Sequence, residues 1–368
     1  MSDPAVLLLA DGTVFTGRAI GAIGRTRGNL VAYAGAFGFP DVMTDPSYLG
    51  KMICFTYPHV GNPGVGPDDF QSEMPMAAAA ICHEVCPIKA NRLGKWTFSE
   101  FLANYGIPGI DDIDTRSLSR IIYEKGCVAA ALGSGSHADP DALAAWLREP
   151  ADDTHSTREY ATRTPHAWQN PNGGADGKAK WNVVVHDFGV KLGFLRRLTD
   201  MGCAVTLVPH DHPAADSLAG DVDGVVFSAG PGAPAAETKA IESAKAILGK
   251  KPLWGVGIGA GILALAAGAK IASDGACHYG EHGVGRSGEP LAEMAMLACD
   301  FSIAPDSLAP ARLDVTHFHL NSQAVMGYKS DALGLMANLY HPESEPGPRD
   351  NLYLFERFGD LMRSRKGN

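Results

Sequence analysis

A two-domain α/β protein is predicted, with a strand-rich first domain followed by an open, mostly parallel sheet carrying helices on both faces. Three observations lead there. The 368 residues exceed what one core usually organises, at roughly 100–200 residues per domain. From Val6 to about Gly135, short apolar runs are cut by Asp11-Gly12, Gly17, Gly21, Gly24 and Gly38, which is the punctuation of strands. Beyond Lys180, β-branched runs alternate with helical stretches, the pattern of βαβ units.

The first domain is assigned to residues 1–150. Its clearest helix runs from Asp114 to Glu124, where Leu118, Ile121 and Ile122 share one face and Asp114 or Thr115 supplies the cap. Residues 151–180 turn to Asp, Thr, Asn and Gly around Asn170-Pro171-Asn172-Gly173-Gly174, with no apolar period, and read as a linker. The second domain, 181–368, begins with a strand Trp181 to His186, a helix Gly193 to Met201 and a strand Ala204 to Val208. Val222 to Phe227 then leads into Ser228-Ala229-Gly230-Pro231-Gly232. Pro252 to Val256 leads into Gly257-Ile258-Gly259 and a helix Ile262 to Ala267. Ligands of such sheets sit where strand ends open into loops.

Composition excludes several classes. Hydrophobic residues at 45% and charged residues at 20% describe a folded chain, and a formal charge of −10 offers no basic stripe for nucleic acid. Seven cysteines without framework spacing favour a reducing, cytoplasmic setting. Cys82-His83-Glu84-Val85-Cys86 lacks a second pair at zinc-site spacing, and His278 and His282 flank Gly280, which argues for a loop and not a chelating helix. No metal site is expected. Met1-Ser2-Asp3-Pro4 carries no basic region ahead of its apolar run, so no signal peptide is expected. The uncharged stretch Pro252 to Ala269 is long enough to raise a membrane span, but its glycines break it into strand, turn and helix.

Several segments stand out along nearly the whole chain. In the first domain they are Leu9-Ala10-Asp11-Gly12-Thr13, Thr44-Asp45-Pro46-Ser47-Tyr48, Thr56 to Asn62 and Asp112 to Arg120. In the second they are Asp187-Phe188-Gly189-Val190-Lys191, Gly230-Pro231-Gly232 and His341-Pro342-Glu343 followed by Pro346-Gly347-Pro348. Together these segments resemble the small subunit of carbamoyl-phosphate synthetase and its class I glutamine amidotransferase domain. Hydrolysing an amide by this route needs a thiolate on a strained strand-to-helix turn, a histidine to carry the proton, a carboxylate to orient it and backbone N–H groups for the oxyanion. The resemblance implies His341 as base, Glu343 as its orienter, Gly230 and Gly232 at the oxyanion loop, and Ser47 as a glutamine contact from the first domain.

The family's elbow has the form Gly-x-Cys-x-Gly-His-Gln, whereas this chain reads Gly255-Val256-Gly257-Ile258-Gly259-Ala260-Gly261. By that comparison Gly257 stands in place of the nucleophile, Ala260 of the histidine and Gly261 of the glutamine. The Gln-Asn-His-Gly strip of the family corresponds to Ala298-Cys299-Asp300-Phe301, and Lys270 to Pro290 is altered as well. The resemblance therefore implies a small subunit unable to hydrolyse glutamine, supporting a large subunit that uses free ammonia in pyrimidine or arginine synthesis. ATP, magnesium and bicarbonate would belong to that large subunit, because no Gly-x-x-x-x-Gly-Lys-Ser/Thr loop occurs here. Two rival readings are an amidotransferase with a relocated nucleophile, Cys277 or Cys299, and a pseudoenzyme recruited to an unrelated partner.

Overall fold

A computed structural model describes residues 3–150, 160–171, 179–272 and 277–365. Met1-Ser2, residues 151–159 and 172–178 of the expected linker, residues 273–276 and residues 366–368 lie outside the described residues. The chain divides into two compact units, Met1–His155 and Ser156–Asn368.

The first unit is a closed barrel. Strand Pro4–Leu9 pairs antiparallel with both Val14–Gly21 and Val128–Ser134, and the remaining strands complete the circuit. Its interior is filled by Leu7, Leu9, Leu30, Met52, Ile81, Ile110 and Leu132. Closure leaves no open sheet edge, which explains why the short apolar runs of the sequence suffice. Helix Thr115–Lys125 turns Leu118 and Ile122 into this core, and Asp114 caps it by accepting from Ser117 N–H at 3.0 Å. Gly17, read in sequence as a break between apolar runs, lies within strand Val14–Gly21, where a Cβ would come within 2.2 Å of the Asp111 carbonyl oxygen. A close backbone approach and not a chain reversal explains that glycine.

The second unit holds an 11-stranded mixed sheet. Its parallel half is formed by Cys203–Pro209, Trp181–Asp187, Gly224–Phe227, Leu253–Val256 and Leu335–Asn338. Val183, Val185, Val225 and Val226 are buried there, as strands covered on both faces require. The other half, from His278–Arg286 onward, is antiparallel. Within the expected linker, His166–Ala167 pairs antiparallel with Cys203–Pro209, an edge interaction that uses backbone alone and so leaves no apolar period.

The helix expected at Ile262 starts at Ile258. Gly259 and Gly261 read as turn residues in sequence, yet they occupy the first turn of the helix. At Gly259 a Cβ would meet the Phe227 carbonyl oxygen at 2.0 Å, so close packing on the neighbouring strand end selects glycine. That helix spans Ile258–Ala267, and among the described residues no helix is long and apolar enough to cross a membrane.

Candidate functional site

Strand Leu253–Val256 ends at Gly257, which adopts φ 54°, ψ −119° and caps helix Ile258–Ala267. L side chains rarely take this conformation, and a tight strand-to-helix turn is one of the few places where it persists. Gly257 N–H donates to Asn338 O at 2.9 Å, while its carbonyl accepts from Ala260 N–H at 3.0 Å. The turn thus presents position 257 at a helix N-terminus, where a thiol would be favoured as thiolate. Glycine supplies no group to attack with.

Beside it runs the loop after strand Gly224–Phe227. Ser228 carbonyl accepts from Gly259 N–H at 3.1 Å, and Ser228 Oγ accepts from Phe188 N–H at 2.9 Å. Gly230 packs so closely on the Phe188 carbonyl that a Cβ would lie 1.8 Å from its oxygen, and Gly232 has φ 102°. Close packing is a sufficient reason for Gly230 and the left-handed backbone for Gly232.

Strand Leu335–Asn338 leads directly into Tyr340–His341, which pairs with Leu297 and Met296. His341 Nδ1 lies 3.2 Å from Glu343 Oε1, with both side chains buried. Lys191 Nζ, just ahead of helix Leu192–Asp200, lies 2.8 Å from the same Glu343 oxygen. Burial works to raise the Glu343 carboxyl, but Lys191 and His341 outweigh it and hold the group at about 2. The His341–Glu343 pair follows Asn338, whose carbonyl accepts from Gly257 N–H, and a buried ammonium completes it.

Lys191 was legible only as part of a motif and not as a partner of Glu343. The filling of the space beside the turn was not legible at all. A Cβ on Gly261 would lie 2.4 Å from Pro234 Cγ and 2.8 Å from Phe301 Cε2, so two apolar side chains occupy the room that a larger residue at 261 would need. Tyr328 OH donates to the Ala260 carbonyl at 2.5 Å, and the helix side chains here are buried.

Cys277 lies immediately before strand His278–Arg286, and Cys299 ends strand Ala292–Cys299 with its Sγ donating to Phe301 O at 3.0 Å. Neither occupies the strand-to-helix turn. Ser47 sits in the first unit on the short turn Pro46–Tyr48, buried, its N–H donating to Asp45 Oδ1 at 2.8 Å. Cys82 is buried and its thiol is pushed well above the usual range by that burial, while Cys86 turns its Sγ to Asn62 Oδ1 at 3.8 Å.

The expected loop at Gly280 is instead part of a strand, because a glycine with φ 92° is accommodated within the pairing. There His282 meets His319. Ser322 N–H donates to His319 Nδ1 at 3.0 Å, so His319 Nε2–H donates to His282 Nδ1 at 3.1 Å and His282 Nε2–H to the Tyr279 carbonyl at 2.8 Å. Burial lowers both imidazoles, consistent with a neutral hydrogen-bonded chain.

A mixed sheet with a parallel half, a positive-φ strand-to-helix turn and a buried His–Glu pair are the features of a class I glutamine amidotransferase domain, and the family model "Glutamine amidotransferase class-I" matches residues 184–361. The model "Carbamoyl-phosphate synthase small chain, CPSase domain" matches residues 7–132. The carbamoyl phosphate synthase small chain of Thermosynechococcus vestitus is 36% identical, covering 99% of this chain and 98% of that one. That of Listeria monocytogenes is 37% identical, covering 98% and 97%. The chain belongs to the carbamoyl-phosphate synthase small chain family.

Proposed function

We propose that this chain is a carbamoyl-phosphate synthase small subunit that does not hydrolyse glutamine and acts as a structural or regulatory partner of a large subunit fed by free ammonia. One observation carries the reading: Gly257 holds the φ 54° turn at which a nucleophile would stand, and it has no side chain. Covalent catalysis divides the difficult amide cleavage into two easier steps, and both require that nucleophile. His341 and Glu343 remain paired with nothing at 257 to deprotonate. Their burial with Lys191 gives them a structural reason to persist. ATP, magnesium and bicarbonate belong, in this reading, to the large subunit.

The test is reconstitution with the large subunit encoded in the same genome. Carbamoyl phosphate should form with ammonium chloride and not with glutamine. Glutamine-dependent synthesis that a thiol-alkylating reagent abolishes would instead establish a relocated nucleophile. Failure of the two chains to co-purify would move the chain to an unrelated partner.

A further inference from the structure

A concave site lies in the second unit, and Gly257 is not among the residues that line it. Strands Asp314–His319, Val325–Ser330 and Leu335–Asn338 and helix Tyr353–Arg365 enclose a cavity of about 560 Å³. That volume is in the range that holds a small organic molecule, ~300–1,000 Å³. Val315, Met336 and Leu361 give it an apolar wall, and Arg286, Arg357 and His317 also line it.

The polar groups converge on Tyr353. Arg286 Cζ lies 4.2 Å from the centre of its ring and Arg357 Cζ lies 4.6 Å from it. Each cation gains from the ring's π-face. Tyr353 OH donates to Glu293 Oε2 at 3.3 Å and accepts from His317 Nε2–H at 2.8 Å, and Thr316 Oγ1 is 2.9 Å from His317 Nδ1. His317 is thereby held neutral. Burial, with Arg357 and Arg286 adding, lowers it to about 4.

Most of the charged groups around the cavity are already paired with one another. Glu289 pairs with Arg286 at 3.4 Å, Asp331 with Lys329 at 2.9 Å, and Asp360 with Arg363. Arg286 also pairs with Glu293. Among the described residues Arg357 makes no ion pair, and its guanidinium is exposed at the cavity. A planar fork of donors, without a carboxylate, next to an apolar wall is suited to a bidentate anion on a hydrophobic body.

We propose that this cavity binds a small molecule carrying one phosphate or carboxylate on an apolar or aromatic body, with Arg357 receiving the anion and the wall of Val315, Met336 and Leu361 receiving the body. This site is independent of the glutamine chemistry proposed above.

The full chain can be titrated by calorimetry with phenyl phosphate and with benzoate, which separate the two anion types, and with phenol and inorganic phosphate as half-ligands. At least one aromatic anion should bind more tightly than either half-ligand. Arg357→Gln should weaken it about tenfold or more, the scale of a lost hydrogen bond to a charged group. Arg357→Lys, which keeps the charge, should fall between the two. Because an anion there offsets the two guanidiniums, the titration midpoint of His317 followed by NMR should move upward when the ligand is present. Binding that is equal in wild type and Arg357→Gln, inorganic phosphate binding as tightly as phenyl phosphate, or no binding of either aromatic anion would each overturn the proposal.

Discussion

Lys191 Nζ lies 2.8 Å from Glu343 Oε1, and each side chain is 1% exposed. An ammonium and a carboxylate buried this completely persist only as a pair, since desolvating either alone costs several kcal/mol. Glu343→Ala or Lys191→Ala should therefore destabilise the protein by about 3–5 kcal/mol. Lys191→Met combined with Glu343→Leu should recover most of that loss, because apolar replacement removes both charges together. Urea unfolding of the four proteins decides it. Additive losses in the double variant would show that the two groups do not act as a pair.

The same pair sets a pH dependence. The folded Glu343 carboxyl stands at about 2, below its ordinary 4.5, so its contribution to stability is fully present above about 4.5 and is lost as pH falls through about 2. Glu343→Gln lacks the charge at every pH. The stability difference between wild type and Glu343→Gln should stay constant from neutral pH to about 4.5 and narrow below it. A difference that does not change on acidification would mean the carboxyl is not held ionised by Lys191 and His341.

The turn was legible in sequence because its signal is local, and the His–Glu pair was legible through the motif that resembles the family's. A short buried strand, glycines and then a helix mark the turn, whereas His341-Pro342-Glu343 stands out only beside the family's motif. Lys191 was harder: a lysine is almost never fully buried, and its carboxylate partner is remote in sequence. Phe301 against Gly261 is likewise a contact between distant segments that no periodicity reports. The antiparallel half of the sheet was missed for a different reason. His278–Arg286 carries three glycines and two histidines, so it shows no clean two-residue alternation.

Gly257→Cys restores the thiol without restoring its surroundings. A side chain at φ 54° carries strain of about 1–3 kcal/mol, and its Cβ would lie 3.1 Å from Ala229 Cβ. Pro234 and Phe301 still fill the space beside Gly261, and misplacing a substrate by about 1 Å can cost ~10²-fold in rate. The variant should unfold at a lower temperature than wild type and hydrolyse glutamine barely above a buffer control. Robust turnover in the single variant would show that the pocket still positions glutamine.

Arg116 and Arg120 project from the outer face of helix Thr115–Lys125, one turn apart, while Leu118 and Ile122 on the opposite side enter the barrel core. Both arginines are exposed, and Arg120 Nε pairs with Glu124 Oε1 at 2.9 Å within the helix. Exposed pairs of this kind contribute about 0–1 kcal/mol, so neither arginine is needed to hold the barrel together. Tyr123, 82% exposed on the same face, leaves an aromatic ring beside the two guanidiniums with no core role. Arginine and tyrosine are the residues that most often dominate binding when a partner covers them. If this face is where the proposed large subunit docks, a lasting complex should bury more than ~1,000 Å² over it. Charge reversal, Arg116→Glu or Arg120→Glu, should then weaken co-purification with the large subunit while moving thermal unfolding of the isolated chain very little. The salt dependence of the remaining binding should also become shallower, since fewer opposite charges meet. If reversal lowers the unfolding temperature and binding falls only in proportion, these arginines serve the barrel and the partner contacts another surface.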